Sequence, residues 1–167
     1  MTVNKDEIIG VYRKLHLYYK EKKWFSPGNL PLQVIEINRM KLGIMICFDW
    51  FFPETIRSLS LLGAEIIAHP SNLVLPYCQN AMKTRCLVNR VYAITSNRIG
   101  SERRGEDSFT FTGRSQITSY NGDVLSAAPN NEMGIDIIEI DEKNSRNKKL
   151  NEYNDVFQDR RTYFYRL

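Results

Sequence analysis

The side chain best placed to do chemistry in this chain is the thiol of Cys47. It ends the run Leu42-Gly43-Ile44-Met45-Ile46, and Phe48-Asp49-Trp50-Phe51-Phe52-Pro53-Glu54 follows at once. Ile44 to Ile46 is continuously apolar and partly β-branched, the pattern of a strand buried on both faces. Pro53 cannot continue such a strand as a central ladder member. The thiol is therefore expected at the mouth of a sheet, where ligand crevices form. A thiol so placed could act as a nucleophile. Free cysteine is also among the most buried residue types, so an inert structural thiol explains the same pattern.

The other ionisable and ligating residues narrow the chemistry. Cys47, Cys78 and Cys86 form an odd, sparse set without metal-ligand spacing, and only His16 and His69 could join them. That argues against a zinc site and for a reducing, cytoplasmic setting over a disulfide scaffold. The net charge of +4 and pI near 9.0 raise the question of nucleic acid. The signs are mixed, however: Lys143, Arg146, Lys148 and Lys149 interleave with Asp141, Glu142 and Glu152, and Arg103 and Arg104 with Glu102, Glu106 and Asp107. No one-sided basic patch exists for a phosphate backbone. No apolar run is long enough to cross a bilayer, and the first residues lack the apolar stretch of a secretory signal. At 167 residues the chain has the size of one domain with a genuine core.

Several elements must position the thiol. Glu7 to Tyr12 reads as a strand leading into a loop through Leu17, and residues 18–31 as irregular, ending at Ser26-Pro27-Gly28-Asn29. Leu32–Ile37 and Met40–Ile46 form a hairpin around Asn38-Arg39. Pro53 opens a helix with Ile56, Leu59 and Leu62 at helical spacing, closed by Gly63. Ala64–His69 is a short strand ended by Pro70-Ser71-Asn72, residues 78–90 a second helix, and Val91–Ser96 a third buried strand. Gly100–Ser108 reads as a polar loop, Phe109–Leu125 as a hairpin turning at Asn121-Gly122, and Gly134–Ile140 as a further strand. Strands alternate with helices in the middle and pair as hairpins at the ends, so the class is a mixed, layered α/β fold.

Taken in order, these residues resemble the nitrilase (carbon–nitrogen hydrolase) superfamily, nearest its archaeal-type nitrilases. The likeness runs through Tyr12-Arg13-Lys14-Leu15-His16-Leu17, Glu21, Gly43–Asp49, Phe52-Pro53-Glu54, His69-Pro70-Ser71-Asn72, Arg85, Asn89, Asn97-Arg98-Ile99-Gly100, Phe111–Ser115 and Asp159-Arg160-Arg161. The resemblance implies an αββα sandwich and one hydrolase domain over 1–167. It implies Cys47 as nucleophile, Lys14 as catalytic lysine and Glu21 as a second glutamate orienting the lysine. A thiol with an ordinary pKa near 8.5 needs a neighbouring cation or base to react at neutral pH. The lysine ammonium and the Phe48 N–H would stabilise charge on the attacked centre. Trp50, Asn72 and Tyr77 would line the pocket. The substrate implied is a small nitrile or amide cleaved through a Cys47 thioester, without cofactor or metal, in a homo-oligomer of two or more copies.

The resemblance covers the family's C-terminal two-thirds. The family's general-base glutamate lies well before the lysine motif, and Lys14 stands only thirteen residues after Met1. The expectation is an N-terminally truncated domain with exposed sheet surfaces, inactive or nearly so by itself. Two alternatives stand beside the hydrolase reading: a non-catalytic oligomeric remnant, and half of a split enzyme completed by another polypeptide. Residue by residue, plainer readings stand beside the sharp ones. Lys14 alone is a surface lysine, Glu21 one member of a charged run, and Asn72 a turn residue. Glu54 fits a helix N-terminus, His69 a structural hydrogen bond, and Trp50, Phe51 and Phe52 a packed core as well as a pocket.

Overall fold

The computed structural model describes residues 1–3, 5 and 7–165. Its centre is a six-stranded mixed sheet. β3 (Val34–Ile37) and β4 (Met40–Ile44) form the expected hairpin, with Asn38 and Arg39 both at positive φ (50° and 69°). That pair of left-handed residues matches the twist of a two-residue turn. β5 (Ile66–Ser71) and β6 (Tyr92–Asn97) lie parallel to β4. β9 (Gln116–Thr118) and β10 (Val124–Ala127) complete the order β10-β9-β6-β5-β4-β3. Outside this sheet stand two small hairpins, β1 (Thr2–Val3) with β2 (Ile8–Gly10), and β7 (Ser101–Arg104) with β8 (Asp107–Thr110).

The parallel strands need crossovers, and helices α2 (Pro53–Leu61) and α3 (Cys78–Asn89) supply them. A short α1 spans Glu21–Trp24 and a short α4 Lys143–Arg146. Pro53 suits the first turn of α2, where an N–H has no partner anyway. Ile56 and Leu59 of α2, and Cys78, Met82 and Cys86 of α3, close over Met45, Ile67 and Ala93 in one core. Gly43 permits this approach: a Cβ there would stand 3.0 Å from Ile67 Cδ1 and 3.2 Å from both Ala64 and Leu59 Cβ. The ladder register places Ile44, Ala68, Ile94 and Ile117 together on the opposite face. Ile94 is 44% exposed there, so this apolar face is incompletely covered.

Several expectations change. Residues 18–31 contain α1, and the supposed polar loop 100–108 is largely the β7–β8 hairpin, whose second strand takes Phe109. The Asn121-Gly122 turn joins β9 to β10 only. β5 runs on through Pro70 to Ser71, paired with Ser96 and Asn97 of β6. Ladder contact with β4 ends at Ala68, so the proline, with no N–H to give, sits where that neighbour has already turned away. Gly134–Ile140 is not a strand: Ile135 and Ile137 are 94% and 87% exposed, and alternation without a partner strand or core does not hold an extended ladder. Leu62, expected on the core face of α2, is exposed at its end. In the tail, Lys148 Nζ donates to the carbonyls of Asn89 and Arg90 at the end of α3. The Phe157 ring lies against Arg57 and Lys148, while Tyr153 and Tyr163 are exposed. No helix among the described residues is long and apolar enough to cross a membrane.

Candidate active site

β4 delivers Ile46 extended, and the chain then turns sharply: Cys47 has φ +45° and opens a 3-10 turn through Phe51. The left-handed region is sparsely populated by residues with a Cβ and recurs where surrounding structure enforces function. A single buried carboxylate organises the turn. Asp49, fully buried, accepts hydrogen bonds from Tyr12 Oη (2.6 Å), His16 N (3.0 Å), His16 Nδ1 (2.8 Å) and Ile46 N (2.8 Å). The His16 ring also stacks on Phe52, 3.7 Å between centroids. The loop on either side of Lys14 is thereby tied to the turn that carries the thiol.

Within that loop Lys14 Nζ donates to Glu21 Oε2 at 2.5 Å, and the same oxygen accepts from Tyr18 N at 2.6 Å. The lysine side chain is mostly buried and the glutamate partly exposed. Glu21 thus opens α1 while holding the ammonium. Asp107 grips Lys20 from the β7–β8 hairpin at 2.6 and 2.7 Å, fixing the far side of the loop.

The thiol lies within electrostatic reach of this pair. Burial raises the Cys47 pKa above its ordinary value; the Asn72 backbone, the Lys14 ammonium and the Phe48 N–H pull it down, and Glu21 pushes it up. Burial prevails, so the sulfur is held as a thiol near neutral pH, and Sγ donates weakly to the Asn72 carbonyl at 3.7 Å. A neutral thiol of this kind needs a base to take its proton as it attacks. Cys78 and Cys86 are fully buried with strongly raised pKa values, which leaves them inert.

Lys14 and Glu21 line an open cleft of about 580 Å³ with Arg13, Phe25 and Asn29. Cys47 borders a tighter depression with Tyr18, Phe48, Trp50, Asn72 and Leu73. Trp50 is 5% exposed and belongs to the core as well as to this wall. Asn72 offers its backbone to the sulfur, while its neighbour Leu73 is held by the Asn97 side chain. Tyr77 is exposed at the start of α3 and stands outside both linings. Glu54 lies in the first turn of α2, where the helix dipole favours an acidic group. Asp49 is the residue that sequence reasoning passed over. Its signal was a lone carboxylate inside an otherwise apolar stretch, which is costly to bury unless it is fully hydrogen-bonded.

The α/β scaffold carries a cysteine after a strand and a paired lysine and glutamate within its electrostatic reach, and comparison with known proteins places the chain. The Carbon-nitrogen hydrolase family matches residues 2–149, and the chain belongs to that family. It is 50% identical over 165 residues to the nitrilase of Pyrococcus abyssi, covering 99% of this chain and 62% of that one. It is 33% identical over 172 residues to the citrullinase of Francisella tularensis, covering 95% and 59%. Among solved structures it resembles a carbon-nitrogen hydrolase from Helicobacter pylori G27, with TM-score 0.79 and 28% identity over 95% of this chain and 60% of that one. It also resembles a glutamate-to-leucine mutant of an amidase from Nesterenkonia sp. AN1, in which the acetamide moiety of fluoroacetamide is added covalently to the active-site cysteine; there the TM-score is 0.65 and the identity 25%, over 72% of this chain and 46% of that one. The chain spans about three-fifths of the length of the curated relatives it matches.

Proposed function

We propose that Cys47, Lys14 and Glu21 form the site of a C–N hydrolase that cleaves a nitrile or a linear amide through a thioester. The observation that carries this reading is the Lys14–Glu21 contact at 2.5 Å with both charges acting on the Cys47 thiol. With an amide, the Sγ–C bond forms and the C–N bond breaks, the thiol proton leaving on ammonia; water then hydrolyses the thioester. With a nitrile, Sγ adds to the carbon to give a thioimidate, which water converts to the thioester with loss of ammonia. Phe48 N–H and Lys14 would stabilise the charge that develops on the attacked centre. The acetamide moiety of fluoroacetamide bonded to the cysteine of the Nesterenkonia amidase is an alkylation product, and it supports a nucleophilic role for the cysteine here.

Among the described residues, the charged side chains acting on Cys47 are Lys14 and Glu21, and Glu21 is committed to Lys14. Among the described residues no further carboxylate acts on Cys47 to serve as general base. Buffer must then take the thiol proton, so these 167 residues alone should acylate slowly and release the acyl group more slowly still, a positioned base contributing roughly 10²–10⁴ in rate. Incubating the purified chain with short aliphatic amides and nitriles should build up a Cys47 acyl adduct by intact mass, with little ammonia released. Absence of the adduct, or its persistence in Cys47→Ala, would refute the reading. A second reading rests on the apolar sheet face at Ile94: a general-base carboxylate arrives with a second polypeptide that covers this face. Ammonia release restored by such a polypeptide would establish it.

A further inference from the structure

One buried, ionisable side chain beside the thiol has no role in the chemistry described so far. His69, 1% exposed on β5, lies with Nε2 2.9 Å from the carbonyl oxygen of Cys47. A carbonyl only accepts, so Nε2 carries the proton, and Nδ1 accepts from Thr95 Oγ1 at 3.1 Å. Ser71 Oγ, 3.0 Å from Nε2, shares that N–H while its own proton is directed to the His69 carbonyl. The imidazole is neutral: burial depresses its pKa to about 4. Thr95 therefore fixes the tautomer, and the tautomer fixes the bond to Cys47.

The Cys47 carbonyl and the Phe48 N–H belong to one peptide plane, and in a trans peptide they point in opposite directions. The Phe48 N–H acts on the Cys47 sulfur. Cys47 holds φ +45°, a conformation that needs outside support. Anchoring the carbonyl end of this plane aims its N–H end. We infer that His69 is a positioning residue, which through the rigid Cys47–Phe48 peptide holds the Phe48 N–H as the oxyanion donor. This inference rests on the reading of Cys47 as an acyl-accepting nucleophile.

Two reactions of Cys47 separate this role from simple structural support. Acylation by p-nitrophenyl acetate forms the Sγ–C bond, breaks the ester C–O bond, releases nitrophenolate and passes the thiol proton to buffer. It goes through an oxyanion. Alkylation by iodoacetamide displaces iodide and forms no oxyanion. His69→Gln can keep a donor near the Nε2 position, whereas His69→Asn places one near Nδ1. His69→Asn should slow acylation about 100-fold, the usual loss for one oxyanion donor, and leave alkylation within about threefold of native. His69→Gln should recover acylation to within about tenfold of native. Equal acylation by native and Asn chains would overturn the inference, as would parallel loss of both reactions while Cys78 and Cys86 stay protected. Labelling of those two cysteines would signal unfolding of the Asn variant. Thr95→Val then carries the test: about tenfold slower acylation with native alkylation supports the role, and native acylation refutes it. If the native chain is not acylated at all, the hydrolase reading itself fails and this role falls with it.

Discussion

Removing the charge of Asp49 should loosen the site and cost stability that can be calculated from its contacts. The carboxylate is fully buried and accepts from Tyr12 Oη, His16 N, His16 Nδ1 and Ile46 N. In Asp49→Asn one acceptor oxygen becomes an NH₂. The Tyr12 hydroxyl can turn to accept from it, but Ile46 N–H, or else a His16 N–H, is left facing another donor. One unsatisfied buried donor costs about 1–3 kcal/mol, and the bonds that remain lose charge assistance. The expected loss is about 2–4 kcal/mol for Asn, and about 5 kcal/mol for Asp49→Ala, which orphans all four donors. A typical domain has about 5–15 kcal/mol in total, so the Ala variant should be near unfolding and the Asn variant measurable. Urea denaturation at pH 7 followed by the fluorescence of buried Trp50 reads both losses. A double-mutant cycle with Tyr12→Phe should show a coupling of about 1–3 kcal/mol. In the Asn variant the dependence of the Cys47 alkylation rate on Lys14 should also weaken, since the ties between loop and turn lose their charge assistance. An Asn variant within about 0.5 kcal/mol of native, with that dependence intact, would refute the clamp.

Further outcomes follow from the same geometry. The rate of Cys47 alkylation should keep rising with pH beyond 9, because burial holds the thiol above its ordinary value, and a plateau below pH 8 would contradict this. Lys14→Gln should slow that alkylation several-fold at pH 8, the ammonium being one of the groups that lower the thiol's pKa. His69 titrates near 4 when folded against 6.5 when unfolded, so between those values the unfolded chain binds the extra proton. Stability should therefore fall as pH drops from 6.5 to 4, by up to about 3 kcal/mol, and His69→Gln should remove that share of the slope in urea titrations. Gly43→Ala should cost about 1–3 kcal/mol by urea denaturation, since its Cβ meets Ile67, Ala64 and Leu59 at 3.0–3.2 Å.

Much of the central sheet was legible because its signals are local. The apolar β4 run, the Asn38-Arg39 turn, Pro53 at the start of α2 and the spacing of Ile56 and Leu59 depend on neighbours in sequence. The errors fall where structure depends on partners. Ile135 and Ile137 alternate like a strand but have no ladder to join, and polar residues 101–110 form a hairpin because they pair with each other and brace Lys20.

The site divides in the same way. Sequence alone determined that a cysteine would follow the apolar β4 run at a Pro-containing turn, since strand pattern and proline's missing N–H are properties of the local chain, although β4 ends at Ile44 and only Gly43 in it is buried. Only the tertiary structure decided that Asp49 would gather Tyr12 and His16 from a loop more than thirty residues away, and that His69 would meet the Cys47 carbonyl. Both contacts arise when sheet and loop close out water, which forces buried polar groups to find partners regardless of their distance along the chain.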